Sequence, residues 1–547
     1  MATKKTELSV RAITIRCCEL AMNVKQVLTL FTAVVLSIAS EAVFANPEAP
    51  GMYDARNMGM GGAGLAYLDS PAAVIHNPAN LAATENSQHQ FNLSLLAVKL
   101  GGSFAGPDHY QESDWLAIPL PFWGYNTRVT DYMTTGASVY LAVGFGGGYS
   151  DVSRYGTGKS CTSKLSDVVL TPPGGGLVIN GDAQNNDLCL SSGRDEVVNL
   201  AVFELAFPFS FQVTNDLQVG LAIRFPFGIF EQQTSEDITG ALGDSNNPAG
   251  SFGLGYMQVE SEMFGYGSKP GFLLGFTYDV TSYLSVAATY RTKLTTTFKG
   301  DTKVLLNSNI LLDPALGTLG GVTIGNEIAG LVNSVPGIGT LLNVQGNETI
   351  GGFANRLTTE IDSGLEWSTS KAIEFGIALQ VTPNLLFAAD WKHQYLKDSN
   401  KDFIVELYEP LFQQTGLDSL GQELNWKDVY SWSFGLEYEM NGGQRVRFGY
   451  SIGNSATPPE YANAFTPPPA NEQDAFYFGY GVTQGEWEFD VGFSYAKVVY
   501  EIDQPFNSDG EPVDPPTCRP GQLVKSGCPG TLSVKSLFLG LSANYRL

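Results

Sequence analysis

Residues 371–394 read KAIEFGIALQVTPNLLFAADWKHQ and alternate between apolar and polar side chains on both sides of a Thr-Pro-Asn turn. Before the turn the apolar positions are Ile373, Phe375, Ile377 and Leu379; after it they are Leu385, Phe387, Ala389 and Trp391. A period of two residues places successive side chains on opposite faces of a β-strand. The stretch therefore predicts an antiparallel hairpin with one continuous apolar face.

The same alternation recurs from residue 88 to the end of the chain, in runs that often exceed nine residues. An apolar face of this kind packs against a protein core or against lipid, and the opposite face decides between them. That face is rich in Gly and Ser and carries Arg224, Arg291, Asp390, Lys392, Glu437, Arg445, Arg447, Glu488 and Asp490. Such a face is typical of the polar lumen of a transmembrane β-barrel. The runs are also long enough for a tilted membrane span, and aromatic residues lie near the strand ends, as they do at membrane interfaces.

We expect an all-β fold, a 14-stranded antiparallel barrel. Its strands are expected to begin near Phe91, Trp115, Thr134, Val197, Leu217, Met257, Leu284, Lys371, Leu385, Val429, Gln444, Asp474, Glu486 and Leu532. Short connections alternate with long ones at 101–113, 153–195, 235–256, 305–365, 404–428, 456–473 and 504–531. Because barrels have short periplasmic turns and long outer loops, both barrel ends should lie on the periplasmic side. The last strand should face lipid at odd positions from Leu537 to Leu547, with Arg546 inward.

The N-terminus carries an export signal. Residues 26–40 are apolar, follow Lys25 and precede a small-x-small pattern ending at Ala45, so residues 1–45 are predicted to be a signal peptide. Met22 is an alternative start. After Ala45 no run of 18 apolar residues occurs, which excludes helical spans. The predicted location is the outer membrane of a Gram-negative cell, and the predicted partners include outer-membrane lipid and the barrel assembly machinery.

Four cysteines follow the signal, in two sequence-local pairs, Cys161 with Cys189 and Cys518 with Cys528. Two loop disulfides are the favoured interpretation in an oxidising compartment, and metal binding is the alternative. The net charge of −24 argues against nucleic acid as a partner.

No chemistry of catalysis is apparent. None of the four histidines stands in a nucleophile arrangement, and GMGGAG at residues 59–64 lacks the preceding strand of a phosphate loop. We therefore predict no enzyme activity, no catalytic residues, no metal site and no cofactor.

Residues 46–87 are not strand-like, and their ARNMGMGGAGLAY stretch followed by Asn77-Pro78-Ala79 resembles the N-terminal hatch of the FadL family. The stretch FTYDVTSYLSVAATYRTKLTTTFKGD resembles the family's central hairpin, and LQVTPNLLFAADWKHQYL and LEYEMNGGQRVRFGYSIGNSATPPEY resemble its later hairpins. The resemblance covers essentially residues 50–547. It implies a hatch at 46–87 that plugs the lumen, a barrel at 88–547, and passive transport of long-chain fatty acids or aromatic hydrocarbons.

The resemblance also implies a lateral exit beside a kinked third strand. Its gating residues would be Asn77, Pro78 and Ala79 in the hatch and Gly144, Gly146, Gly147 and Gly148 in the third strand. Four glycines in five residues weaken a strand and permit a bulge. A Pro-Tyr/Phe-Gly pattern is expected there, but a Pro-Phe-Gly stands at residues 226–228, on the fifth strand.

Two long loops are unusually apolar, at 310–342 and 404–420. They are expected to form a cap with its own small core, to capture a hydrophobic ligand, or to do both. The candidate ligand-capture residues are Leu316, Leu319, Ile324, Ile328, Leu331, Val332, Leu411 and Phe412. The alternative function is a non-transport barrel, a secretion or conjugation accessory or a surface scaffold. An apolar tunnel favours transport, and a lumen full of charged ladders favours the scaffold.

Overall fold

The computed structural model describes residues 53–84, 86–103, 110–152, 168–170, 177–179, 194–237, 256–306, 323–334, 343–349, 359–409, 418–503 and 529–547. The predicted signal peptide, the four cysteines of the predicted disulfides, and Leu316, Leu319, Leu411 and Phe412 lie outside these residues.

The described chain is mostly β-strand. The strands are β1 (Gln88–Ser103), β2 (Tyr110–Glu112), β3 (Leu116–Thr130), β4 (Met133–Val152), β5 (Val168–Leu170), β6 (Leu177–Ile179), β7 (Arg194–Gln212), β8 (Leu217–Asp237), β9 (Tyr256–Tyr266), β10 (Gly271–Thr281), β11 (Leu284–Arg291), β12 (Leu294–Leu306), β13 (Thr359–Thr369), β14 (Ala372–Thr382), β15 (Leu385–Gln394), β16 (Asp402–Leu407), β17 (Ser419–Glu423), β18 (Val429–Met440), β19 (Gln444–Gly453), β20 (Gln473–Gln484), β21 (Trp487–Ile502) and β22 (Gly530–Arg546). The helices are α1 (Ala55–Gly59), α2 (Ala73–His76) and α3 (Asn326–Asn333), with 3-10 segments at Pro78–Ala83, Leu396–Asp398 and Pro459–Tyr461.

All strands except β5 and β6 form one closed antiparallel sheet. Short interruptions divide several spans in two: β9 continues as β10, β11 as β12, β13 as β14, β15 as β16, and β17 as β18. Counted this way, the described strands make the fourteen spans that the sequence predicts. The barrel closes where β1 pairs with β22 over fifteen residue pairs, from Gln88↔Arg546 to Gly102↔Leu532.

One end of the barrel has short connections, at residues 131–132, 213–216, 282–283, 383–384, 441–443 and 485–486, as predicted. We call it the turn end and the other the loop end. The last strand also matches its prediction. Leu537, Leu539 and Leu541 are exposed on the outside, and Arg546 Nη2 lies 2.9 Å from the buried Glu488. Among the described residues, no helix is both long and apolar enough to cross a membrane.

The expectation that residues 305–365 and 404–428 are wholly loop is wrong, because β13, β16 and β17 lie within them or overlap them. These strands continue the wall beyond the membrane, where the alternation is inverted. Trp367 and Val405 point inward and are fully buried, whereas Glu366 and Glu406 are exposed. Water bathes the outside of this extension, so its apolar side chains turn inward and form a core with those of the neighbouring strands.

Candidate functional site

The segment Tyr53–Thr84, here called the luminal segment, lies inside the barrel. Its helix α1 contacts strands β19 to β22, and its 3-10 segment Pro78–Ala83 contacts β4, β7, β8 and β10 on the other side of the ring. Most of its side chains are buried, including the polar Asn57, Asn77 and Asn80. The luminal segment therefore crosses the interior from one part of the wall to another.

Asn77 holds one side of this segment to the wall. Its Oδ1 accepts the backbone N–H of Ala79 at 3.0 Å, which caps the 3-10 helix that begins at Pro78. Its Nδ2 donates to Thr277 Oγ1 of β10 at 2.7 Å and to the carbonyl of Leu65 at 2.9 Å. The side chain thus joins the wall, the glycine-rich turn and the 3-10 helix at a single buried point.

Inward-facing glycines let the luminal backbone lie directly on the wall. Gly220 and Gly275 are paired across β8 and β10, and a Cβ at either would lie within 2.3 Å of Ala79 N or Asn77 Oδ1. Across the barrel, a Cβ at Gly449 would lie 2.0 Å from Gly61 N. The abundance of glycine on the polar face of the strands therefore has a steric cause.

Charged residues anchor the other side. Asp390 accepts the N–H groups of Gly64 and Leu65 at 2.7 and 2.9 Å, and Arg56 pairs with Glu437 of β18 at 3.1 Å. Asp390 is directed at the luminal backbone, whereas Lys392 on the same face of β15 lies 3.4 Å from Glu374.

His76 is a buried histidine of the same segment. The Asn57 amide nitrogen lies 3.0 Å from its Nε2, so the ring is neutral and accepts this bond. Burial lowers the pKa of His76 to about 4. In the part of the chain that the structure describes, no group of three or more His, Cys, Asp or Glu is arranged to hold a metal ion.

The wall is incomplete between β3 and β4. The two strands pair from Thr130↔Met133 only as far as Phe122↔Tyr140. Beyond that point residues 116–121 of β3 remain paired with β1, and β4 remains paired with β7. One side of each strand therefore loses its neighbour, and a gap faces the lipid on the loop-end side of Tyr140.

Strand β4 bends inward along this gap. Its register against β7 shifts between Leu141 and Val143, just before the glycine run. A Cβ at Gly147 would lie 2.1 Å from the side chain of Leu100 on β1, so β4 here reaches past β3. Gly144, Gly146, Gly147 and Gly148 all stay paired with β7. Their gating role, like that of Asn77, Pro78 and Ala79, stays a prediction.

An apolar groove of about 890 Å³ lies at the gap. Phe91 and Leu93, 55% and 53% exposed, line it together with Pro121, Phe122 and Val139, so it opens on the lipid-facing side. Behind it the buried residues Leu120, Leu141 and Ala142 belong to an apolar cluster that continues to the luminal segment. The gap thus joins the outer surface to an apolar part of the interior.

A buried ionic network connects the edge of the gap to the luminal segment. Tyr140 donates a 2.5 Å hydrogen bond to Glu204, which accepts two bonds from Arg224. Arg291 lies 3.8 Å from the same carboxylate and donates to the carbonyl of Ile75 at 2.6 Å. Tyr140 is the last residue of β4 that pairs with β3. The position of its side chain and that of helix α2 therefore depend on the same buried charges.

The connection 454–472, which overlaps the outer loop predicted at 456–473, folds into the loop end of the lumen. Ala456, Ala462 and Ala464 are buried, and Tyr149 of β4 donates to the Ala464 carbonyl at 2.7 Å. We call this segment the inward loop. The many Ala and Pro residues of this segment indicate apolar surroundings. That it turns into the lumen depends on contacts with strands far away in the sequence.

The interior on the loop-end side of the luminal segment is largely apolar. Val498, Val534 and Phe538 face it from β21 and β22, and Tyr477 faces it from β20. The charged groups instead gather around the luminal segment itself. Of the predicted ligand-capture residues, Ile324 is buried at 8% exposure, and Ile328, Leu331 and Val332 lie in α3.

Comparisons with known proteins agree with this architecture. Residues 179–547 match the family of outer membrane protein transport proteins, OMPP1/FadL/TodX. The fold is similar to that of a Pseudomonas aeruginosa FadL homologue, with 13% identity over 93% of this chain and 100% of that one and a TM-score of 0.63. It is also similar to the Pseudomonas putida toluene transporter TodX, with 15% identity over 91% and 98% of the two chains and a TM-score of 0.59.

A third similar structure is the Ralstonia pickettii toluene transporter TbuX, with 17% identity over 92% of this chain and 100% of that one and a TM-score of 0.54. No curated protein sequence matches the chain. The family match spans more than half of the residues, and the closed fourteen-stranded barrel is the fold of these transport channels. The chain belongs to the OMPP1/FadL/TodX family of outer-membrane transport proteins.

Proposed function

We propose that this barrel carries hydrophobic small molecules, such as long-chain fatty acids or aromatic hydrocarbons, from outside the cell to the gap between β3 and β4. The luminal segment acts as the hatch that blocks the axial route, and Asn77 holds it in place. Transport is passive, so the molecule moves down its own concentration gradient without an energy source.

The gap is the observation that carries this proposal. Loss of pairing leaves backbone N–H and C=O groups without strand partners at membrane depth, which lipid penalises. The wall has this unpaired edge where an apolar groove lies outside it and an apolar cluster lies inside it. This arrangement favours the lateral exit of a hydrophobic molecule. A polar solute would have to give up its water on the same route.

The rival scaffold role is disfavoured by the distribution of charge. A scaffold needs only a filled, polar lumen. Here the ion pairs of Arg56 and Arg224 lie at or beside the luminal segment, and an apolar cluster continues from that segment to the gap. Glu196 of β7 is a further buried carboxylate on the loop-end side.

Blocking the gap tests the proposal. Ala201 of β7 packs against the apolar cluster at the gap, so Ala201→Trp places an indole in the exit. Ala137, on the part of β4 that pairs normally with β3, supplies the control Ala137→Trp. Both variants are reconstituted in liposomes, and uptake of oleate and toluene is measured beside that of a sugar.

We expect Ala201→Trp to slow hydrophobic uptake at least tenfold and Ala137→Trp to change it less than twofold. Sugar uptake should be at background in all three proteins. Equal uptake by the two variants, or sugar uptake above background in the wild type, contradicts the proposal.

A further inference from the structure

Three outward-facing lysines form a single row across adjacent strands at the loop end. Lys99 of β1 is paired in register with Lys535 of β22, and Lys535 is paired with Lys497 of β21. Residues directly opposite each other in antiparallel strands have Cβ atoms about 5 Å apart, and like charges in such pairs are destabilising. We call these residues the lysine row. A row of this kind favours the binding of an anion.

The row lies at the edge of the apolar band. On β22 the outward positions Leu537, Leu539 and Leu541 follow Lys535 toward the turn end. On β21, which runs the other way, the last outward residue before Lys497 is Tyr495. Lys99 stands eleven residues from Gln88, where β1 begins at the turn end. At about 3.3 Å per residue and a tilt of about 40°, that is about 28 Å along the membrane normal, just beyond an apolar band about 25 Å tall. The ammonium groups are therefore level with the outer-leaflet headgroups.

Two carboxylates of neighbouring strands stand near the row. Glu112 bridges two of the lysines, with Oε2 2.7 Å from Lys99 Nζ and Oε1 2.6 Å from Lys535 Nζ. A second carboxylate, Asp474 of β20, stands two residues before Phe476, which pairs with Tyr495 of β21. Within the described residues, the lysine row forms ion pairs only with Glu112, so three ammonium groups share one ion-paired carboxylate.

Hydroxyl groups continue the polar surface outward from the row. The Tyr110 hydroxyl lies 2.5 Å from Ser533 Oγ and crosses above Gly101, where a Cβ would come within 2.1 Å of it. Tyr110 is 40% exposed. Ammonium and hydroxyl groups thus lie side by side on one surface patch. Both are hydrogen-bond donors to phosphate oxygens.

We propose that the lysine row binds a phosphate group of an outer-leaflet lipid. The lipid would be held on the wall formed by β21, β22 and β1, one strand away from the β3 edge of the gap. The site is independent of the transported molecule, because it lies on the outside of the wall and its ligand is an anion.

The test uses the full-length protein in detergent and diphosphoryl lipid A as the probe, with bound lipid counted by native mass spectrometry during a titration. The variant is Lys99→Gln/Lys497→Gln/Lys535→Gln. The matched control is Lys269→Gln/Lys299→Gln/Lys303→Gln, which removes three exposed lysines of β12 and the β9–β10 link. Heat-modifiable migration on gels checks that each barrel is folded.

Each lysine at a membrane surface strengthens binding about fivefold. We expect the row variant to bind the lipid at least tenfold more weakly and the control to stay within twofold of wild type. Glu112→Gln should bind more tightly than wild type, since it frees two ammonium groups. Fully dephosphorylated lipid A should bind all variants equally.

Equal weakening in the row variant and the control overturns the proposal, and so does unchanged binding in the row variant. The proposal also fails if the wild type binds the dephosphorylated lipid as tightly as diphosphoryl lipid A. If the triple variant does not fold, Lys497→Gln alone decides. Its expected loss is about fivefold, and unchanged affinity refutes the site.

Discussion

Replacing Asn77 with Ala should release the luminal segment while the barrel stays folded. The side chain makes three well-formed hydrogen bonds, to Ala79 N–H at 3.0 Å, the Leu65 carbonyl at 2.9 Å and Thr277 Oγ1 at 2.7 Å. Each is worth about 1 kcal/mol net, and its buried partners are left without a bond when the amide is removed. The expected loss is therefore about 3 kcal/mol, which corresponds to about a hundredfold increase in local opening.

Hydrogen exchange followed by mass spectrometry measures this opening directly. Peptides from residues 64–84 should exchange about a hundredfold faster in Asn77→Ala, whereas peptides of β18 to β22 should not change. Asn77→Ser keeps an oxygen that can cap the 3-10 helix but loses the bond to the wall, so its effect should be intermediate. Asn199→Ala supplies a control, since Asn199 faces outward on β7 and its amide donates to Glu231 of β8.

Two results would refute this reasoning. Exchange within threefold of wild type means that Asn77 does not hold the segment. Loss of heat-modifiable migration in Asn77→Ala means that the luminal segment and the barrel fold as one unit, so that Asn77 is a folding residue.

Three further predictions concern the same interior. Asp390→Ala leaves two buried luminal N–H groups without acceptors, so we expect exchange at residues 60–68 to rise at least tenfold, with Lys392→Ala as the unaffected control. Glu204→Gln removes the carboxylate that pairs with the fully buried Arg224, and the denaturation midpoint should fall by the equivalent of about 3 kcal/mol. An unchanged midpoint means that the network does not stabilise the wall. Burial lowers the pKa of His76 to about 4, so as the pH falls the unfolded state binds the proton before the folded state does. The stability of the luminal segment should therefore fall by up to about 3 kcal/mol between about pH 6.5 and pH 4. A His76→Gln variant should lack this pH dependence.

The fold was largely predictable because its main signal is local. Each strand meets lipid on one face and a polar lumen on the other, so alternate residues record both media along a single run. The number of spans, the short turns and the inward Arg546 follow from reading these runs in order. The strand extensions β13, β16 and β17 were missed because the same alternation reverses where water replaces lipid outside the wall.

The candidate site depended on contacts between residues far apart in the chain. The sequence by itself determined a closed barrel and a glycine-rich segment with Asn77 at a turn. Only the tertiary structure decided that Gly220 and Gly275 form the seat for that turn, that β4 leaves β3 at Tyr140, and that the inward loop enters the lumen. The alternation of apolar and polar residues predicts which face of a strand a side chain occupies. Strand pairing and close backbone contacts depend on partners that can be hundreds of residues away in the chain. Those partners come together only when the barrel closes.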